Sequence, residues 1–263
     1  MGTQVRSRVR WVAGACAAGV LVATAIQGSR VTVDPALAWA SSALHAPLGF
    51  DEFGRNLLLT LLAAAAMSIG KAVAITSIIL SLALAAGQFL SRSTHKGISA
   101  GMQLLVDAVE AVPPVLWVLA IFAALREPRL ALVGIAFGLV TLPAAIALAA
   151  SEIARLRHEP FVEFAYGLGS TEWQVTWRHL IPNAMAVLSP FAFQVLGIAL
   201  AVDGAVGIIG MGSRTDLDLG VFLLRGQENF VLQPHLMALT LGIYLAIFSA
   251  LSWLARTFTV RHA

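Results

Sequence analysis

Residues 163–183, EFAYGLGSTEWQVTWRHLIPN, form the longest polar interval between the apolar blocks of the chain, and their reading decides the fold. Glu163, Glu172, Arg178 and His179 are interleaved there with Phe164, Leu168, Trp173, Val175 and Trp177, and Phe161 stands just upstream. Apolar residues beside charges at this spacing predict two short amphipathic helices. Gly167 and Gly169 separate the two, and Pro182 is expected to stop the second. A hairpin of this kind between membrane spans has two readings. It is either a plain interfacial connector or a docking surface for a soluble partner.

The chain around it has 263 residues, 59% hydrophobic and 12% charged, with a mean hydropathy of +0.84. Soluble domains carry roughly 25% charged residues, so the composition points to an integral membrane protein. The apolar runs are far longer than the ~10 residues of a barrel strand, which makes the fold all-α. Segments near 57–90, 100–124, 130–150, 184–210 and 234–256 each reach the ~20 residues that a spanning helix needs. Trp11–Ile26 supplies a sixth span.

Arg6, Arg8 and Arg10 precede that first run, and Ala23-Thr24-Ala25 would suit cleavage of a signal peptide. The run is long and more spans follow, so the preferred reading is an uncleaved first span with a cytoplasmic N-terminus. Six helices then put ten Lys and Arg residues inside, among them Arg92, Lys96, Arg155, Arg157 and Arg178, against six outside. That bias has the sign that orients membrane proteins. It leaves the loop at 151–183 in the cytoplasm.

The remaining totals exclude several classes. A net charge of +3 is too small to argue for nucleic acid. The single cysteine, Cys16, rules out a disulfide within the chain. No metal site is expected, because His158-Glu159 is followed by no second histidine at the spacing of a zinc helix. Gly70-Lys71 lacks the upstream glycine and the following Ser or Thr of a phosphate-binding loop, so any ATP that drives this protein is hydrolysed by another chain.

Lys71, Asp107, Glu110 and Asp203 fall inside apolar segments. An isolated charge at mid-helix costs about 2.5–3.5 kcal/mol, so each should face protein or a wet cavity. Lys71 and Glu110 are expected to pair, or to share a hydrated path with Asp107. The pair could simply lock two helices together, or Lys71 could present its charge to an anionic substrate.

Several ordered motifs carry a family resemblance. Glu163-Phe164-Ala165, then Gly169, then His179-Leu180-Ile181-Pro182-Asn183 resembles the EAA loop of ABC-importer permeases, with the HxLPN ending of the peptide/nickel branch. Phe164 stands where the second motif residue is usually alanine. His45-Ala46-Pro47-Leu48-Gly49-Phe50-Asp51-Glu52-Phe53-Gly54-Arg55-Asn56 is similar to the HPLGTDxxGRD segment of the second permease subunit, and Ser68 continues the match. Val106-Asp107 with Pro113-Pro114 resembles VDxxxxxP, and the prolines should kink that helix. Asp203 through Gly212 aligns with the ExxLSFLGLG signature, Asp203 taking the glutamate position. The last fifty residues depart from the family pattern, which leaves the cargo open.

The resemblance implies a type I importer permease fold of six transmembrane helices in the bacterial inner membrane. Residues 1–29 would be the cytoplasmic segment and first span, 30–56 an extracytoplasmic loop, and 57–263 the core with its coupling loop at 151–183. Phe161, Phe164, Ala165, Leu168 and Trp173 would seat that loop in an ATPase subunit, while Glu163 and Arg178 orient it. Gly169, His179 and Pro182 complete the coupling set, and Lys71, Asp107, Glu110 and Asp203 would line the translocation path. Implied partners are a second homologous permease, one or two ATPases that hold ATP and Mg, and an extracytoplasmic binding protein. The cargo would be peptides, nickel or metal chelates, and this chain would hold no cofactor and catalyse no bond chemistry. Two rival classes remain: an intramembrane enzyme using buried carboxylates, and a proton-coupled carrier. Against the enzyme, the histidines lie in loops and no nucleophile–base spacing emerges; the carrier leaves the 161–183 loop unexplained.

Overall fold

The computed structural model describes residues 34–40, 47–92, 96–125, 130–210 and 217–259. The run Trp11–Ile26 lies outside the described residues, as do Cys16, the three N-terminal arginines, His45, Ala46, Met211 and Gly212. Among the described residues the regular structure is helical, apart from one antiparallel bridge between Phe50 and Asn56. The helices are α1 Leu57–Leu90, α2 Lys96–Glu110, α3 Pro114–Leu125, α4 Leu130–Arg157, α5 Pro160–Gly167, α6 Glu172–Val175, α7 Ile181–Ile208, α8 Leu219–Glu228 and α9 Pro234–Thr259. A π-helical turn, Thr176–Leu180, joins α6 to α7.

Among the described residues, four helical stretches are long and apolar enough to cross a membrane: Leu57–Leu90, Ala136–Arg157, Glu172–Ile208 and Pro234–Arg256. At ~1.5 Å per residue, α1 exceeds the ~30 Å of a bilayer core and must tilt or project from it.

The segment near 100–124 is not the straight span its hydropathy suggests. Ala100–Glu110 and Pro114–Ile121 meet at 83°, so only the bent pair together can count as a fifth crossing. Pro113 and Pro114 lack the N–H groups that would continue the ladder. Trp117 Nε1 donates instead to the freed Val109 carbonyl at 3.1 Å, which holds the corner.

Pro182 does not stop a helix either. The Ile181 N–H bonds to the Thr176 carbonyl, an i to i−5 step. The widened turn just before the proline removes the i−4 contact that would otherwise clash with its ring. The second short helix of the loop therefore runs on into the long span.

By internal contacts the chain divides into two units, one of residues 1–73 and 200–247, the other of 74–199 and 248–263. In the first, Gly49 (φ 79°) and Gly54 (φ 71°) shape a tight turn before α1. Asp51 closes the turn, accepting the Arg55 N–H at 2.9 Å and the Arg55 Nε–H at 2.7 Å. The same unit contains α8, a largely buried helix in the interval between the apolar segments 184–210 and 234–256. Helices α7 and α8 cross glycine on glycine, since a Cβ on Gly207 would lie 2.3 Å from the Gly220 carbonyl carbon.

In the second unit α1 and α4 approach as closely. A Cβ on Gly87 would lie 2.8 Å from that of Ala149. Ala145, Ala149 and Ile153 of α4 are fully buried.

The two glycine classes make a test. Gly207→Val overfills the α7–α8 crossing and should cost at least ~1–3 kcal/mol, read as a lower melting temperature in detergent. Gly101→Ala, with nothing within 4 Å of the new methyl, should leave melting unchanged or slightly raised.

Candidate functional site

Local rules build the foot at 158–183. Pro160 starts α5 with its φ already set for a helix. At the other end the Ser170 N–H bonds to Ala165 O at 3.1 Å and the Gly169 N–H to Tyr166 O at 2.9 Å. With Gly169 at φ 83° this is a Schellman stop, and the left-handed residue is the glycine such a stop favours. Thr171 then caps α6 in a reciprocal box: its Oγ1 accepts the Gln174 N–H, and Gln174 Oε1 accepts the Thr171 N–H at 2.8 Å.

This frame sorts the side chains. Val162, Ala165, Val175, Thr176 and Leu180 face inward and are buried. Phe164, Leu168 and Trp173 are 70%, 75% and 69% exposed, and Phe161 and Trp177 are also exposed. Glu163, Arg178 and Gly169 lie on the exposed side, while His179 and Pro182 are half-buried. Pro160, Phe161, Phe164, Leu168 and His179 line a shallow apolar groove. Ala165 is buried, stands about 100° round α5 from Phe164, and borders the same groove.

One carboxylate ties the foot together. Glu172 Oε1 accepts from Arg92 Nη2 at 2.9 Å and from Arg157 Nη2 at 2.8 Å, and its Oε2 accepts from the Tyr166 hydroxyl. Arg157 Nε also donates to Ser91 Oγ at 3.3 Å. The end of α1, the end of α4, α5 and α6 thus share a single hub. Burial first, and then the hydrogen bond to Glu172, raise the Tyr166 phenol above its ordinary range, so it remains a donor at neutral pH. Gln88 on α1 adds a bond at 2.8 Å from its Nε2 to Thr176 Oγ1 of the π turn.

The intramembrane charges lie otherwise than their sequence positions suggest. Lys71 Nζ pairs with Asp203 Oδ1 at 3.1 Å and with Asp218 Oδ2, not with Glu110. Ser68 Oγ donates to Asp218 Oδ1 at 2.5 Å and accepts the Leu219 N–H at 3.1 Å. Asp218 is the N-cap of α8, so the cluster pins the start of that helix between α1 and α7. Asp107 and Glu110 are exposed on α2. Glu110 is the last residue before the 83° corner, where the chain turns away.

Sequence reading passes over Asp218 and Arg225, although an aspartate just before LGVFLLRGQE is a recognisable N-cap signal. Arg225 is buried at the far end of α8. Its Nε lies 3.1 Å from Glu52 Oε1, and its guanidinium stacks on Phe53 and Phe222 at 5.1 and 4.9 Å. The turn at 49–56 is thereby clamped to α8.

Two sets of variants check these assignments. Lys71→Met strands two carboxylates and should destabilise by up to ~3–5 kcal/mol, with Asp218→Asn restoring part of the loss, whereas Glu110→Gln should leave melting unchanged. Glu172→Gln removes the charge at the hub and should speed amide exchange at Gly169 and Gln174 roughly 5- to 30-fold, as ~1–2 kcal/mol implies.

A family model described as the binding-protein-dependent transport system inner membrane component matches residues 77–261. The glutathione transport system permease protein GsiD of Pectobacterium atrosepticum is 22% identical over 203 residues, covering 76% of this chain and 66% of that protein. The dipeptide transport system permease protein DppC of Alkalihalophilus pseudofirmus is 26% identical over 187 residues, covering 70% and 60%. A putative peptide transport system permease protein of Brucella suis is 28% identical over 167 residues, covering 63% and 55%. The chain spans less than two thirds of the length of each of these curated relatives.

Proposed function

This chain belongs to the family of binding-protein-dependent transport system inner membrane components, and on that premise we propose that it is one membrane half of an ATP-driven importer. The observation that carries the proposal is the foot: a capped, cross-braced hairpin that turns Phe164, Leu168 and Trp173 out to solvent. Large apolar side chains held rigidly in water suit a partner surface. The partner would be a soluble ATPase subunit that holds the ATP and Mg, and the proposed coupling set is Phe161, Glu163, Phe164, Leu168, Gly169, Trp173, Arg178, His179 and Pro182. Ala165 contributes from behind, as packing under the outward residues.

The mechanism is a two-state rocking. ATP binding draws paired ATPase subunits together, and the foot moves with the subunit that grips it. Because Glu172 binds Arg92 and Arg157, the ends of α1 and α4 follow. The nucleotide must favour one of the two states for the cavity to change the side it opens to.

The path itself needs a second homologous permease. Asp107 and Glu110 are exposed on α2, and such charges in a membrane belong against protein or water and not lipid. Cargo of the peptide class, delivered by an extracytoplasmic binding protein, fits what the names of the three relatives say of those proteins. A complete set of six spans with a cytoplasmic N-terminus would set the foot on the ATPase side. The rival readings, an intramembrane enzyme or a proton-coupled carrier, gain nothing from this geometry, since Asp203 and Asp218 are both engaged by Lys71.

Phe164→Asp together with Leu168→Asp tests the reading. The unaltered chain should copurify with an ATPase subunit from its native membrane, and the double variant should lose that subunit while its melting temperature stays the same. Retention of the ATPase by the double variant, or its absence from the unaltered chain, overturns the proposal.

A further inference from the structure

Between α8 and α9 the chain presents three consecutive apolar side chains, Phe230, Val231 and Leu232, which are 54%, 93% and 76% exposed. The segment that carries them is braced at both ends. The Asn229 N–H and Nδ2 each reach the Arg225 carbonyl at 3.0 Å. The N–H groups of Leu232 and Gln233 turn back to the Asn229 carbonyl at 3.1 and 2.8 Å, and the Leu236 N–H reaches the Gln233 carbonyl at 3.1 Å. Beneath the tip α8 meets α9 closely, a Cβ on Gly226 lying 2.9 Å from Met237 Cα. Arg225 itself is fixed to Glu52. These apolar groups are therefore held outward by a frame that does not let them fold back.

Their position along the chain says what covers them. Pro234, which follows Gln233 directly, is the first residue of the apolar span Pro234–Arg256. The leucines of that helix that this chain leaves uncovered, Leu241 and Leu245, continue from the tip into the span. The tip thus stands at the level where hydrocarbon gives way to headgroups. Its immediate flanks, Asn229 and Gln233, are polar and neutral, and the exposed Glu228 and His235 stand just beyond them, a polar collar that suits a headgroup zone.

We propose that Phe230–Val231–Leu232 is an interfacial anchor that inserts among phospholipid acyl chains at the membrane boundary. Apolar side chains at such a boundary bury to a depth of about 5–10 Å. The anchor holds the α8–α9 corner at a defined height, and with it the clamp on residues 49–56. This inference needs only that α9 crosses the bilayer, and it stands whether or not an ATPase binds the foot.

A nitroxide at residue 231 tests it. Val231→Cys is made in a Cys16→Ser background, and the full chain is reconstituted in vesicles of phosphatidylethanolamine and phosphatidylglycerol. Accessibility to dissolved oxygen is compared with accessibility to a water-soluble nickel chelate. Labels at Leu245→Cys and Glu163→Cys serve as lipid and water references. The expected result is an oxygen-to-nickel ratio well above the water reference and approaching the lipid reference at Leu245→Cys. A ratio equal to the water reference overturns the proposal. So does exclusion of both reagents, which would mark a protein neighbour at the tip. Leu232→Cys, labelled in the same way, repeats the reading should Val231→Cys lower the melting temperature.

Discussion

A cationic side chain among apolar helices calls for an anion beside it, and Lys71 has two. Much of the first unit follows from answering that charge. Asp203 brings in α7, and Asp218 brings in the first turn of α8, which it also caps. Ser68 completes the set by donating to Asp218 and accepting from Leu219. Once the start of α8 is fixed, its glycines allow the close crossing with α7. Arg225 then fastens its far end to the turn at 49–56. Removing Lys71 would leave two carboxylates without their cation, so the cluster depends on that one side chain.

The second unit solves a different problem. Its foot must carry large apolar groups in water without collapsing onto them. Two short helices cannot do this by their own stability, since isolated helices of this length are marginal. The glycine stop, the capping box and the Glu172 hub supply the stiffness instead. Each exposed ion pair contributes little alone, but three donors on one carboxylate restrict four elements together.

Features governed by local rules could be read from sequence. The four long spans among the described residues were legible because ~20 apolar residues have few other uses. The turns at Gly49, Gly54 and Gly169 were legible because their neighbours left few other places to reverse direction. Partner choice was not. Lys71 and Glu110 fall at similar depths on paper, but which acids answer Lys71 depends on how α7 and α8 lie beside α1, and no spacing encodes that. The corner at Pro113-Pro114 was visible only as a kink, because its sharpness rests on a tryptophan eight residues past the carbonyl it caps. The buried helix α8 escaped notice since ten residues containing an arginine resemble a surface loop until Asp218 is recognised as its cap.

The π turn at Thr176–Leu180 has a consequence for the direction in which the foot faces. A π turn accommodates one residue more than an α turn. Each residue advances an α-helix by about 100°, so everything before the turn is rotated by that amount relative to an uninterrupted rod. Trp173 therefore looks out along a bearing that the span below it does not share. Removing a single residue between 176 and 180 would keep Phe164, Leu168 and Trp173 on their own short helices and aim those three elsewhere.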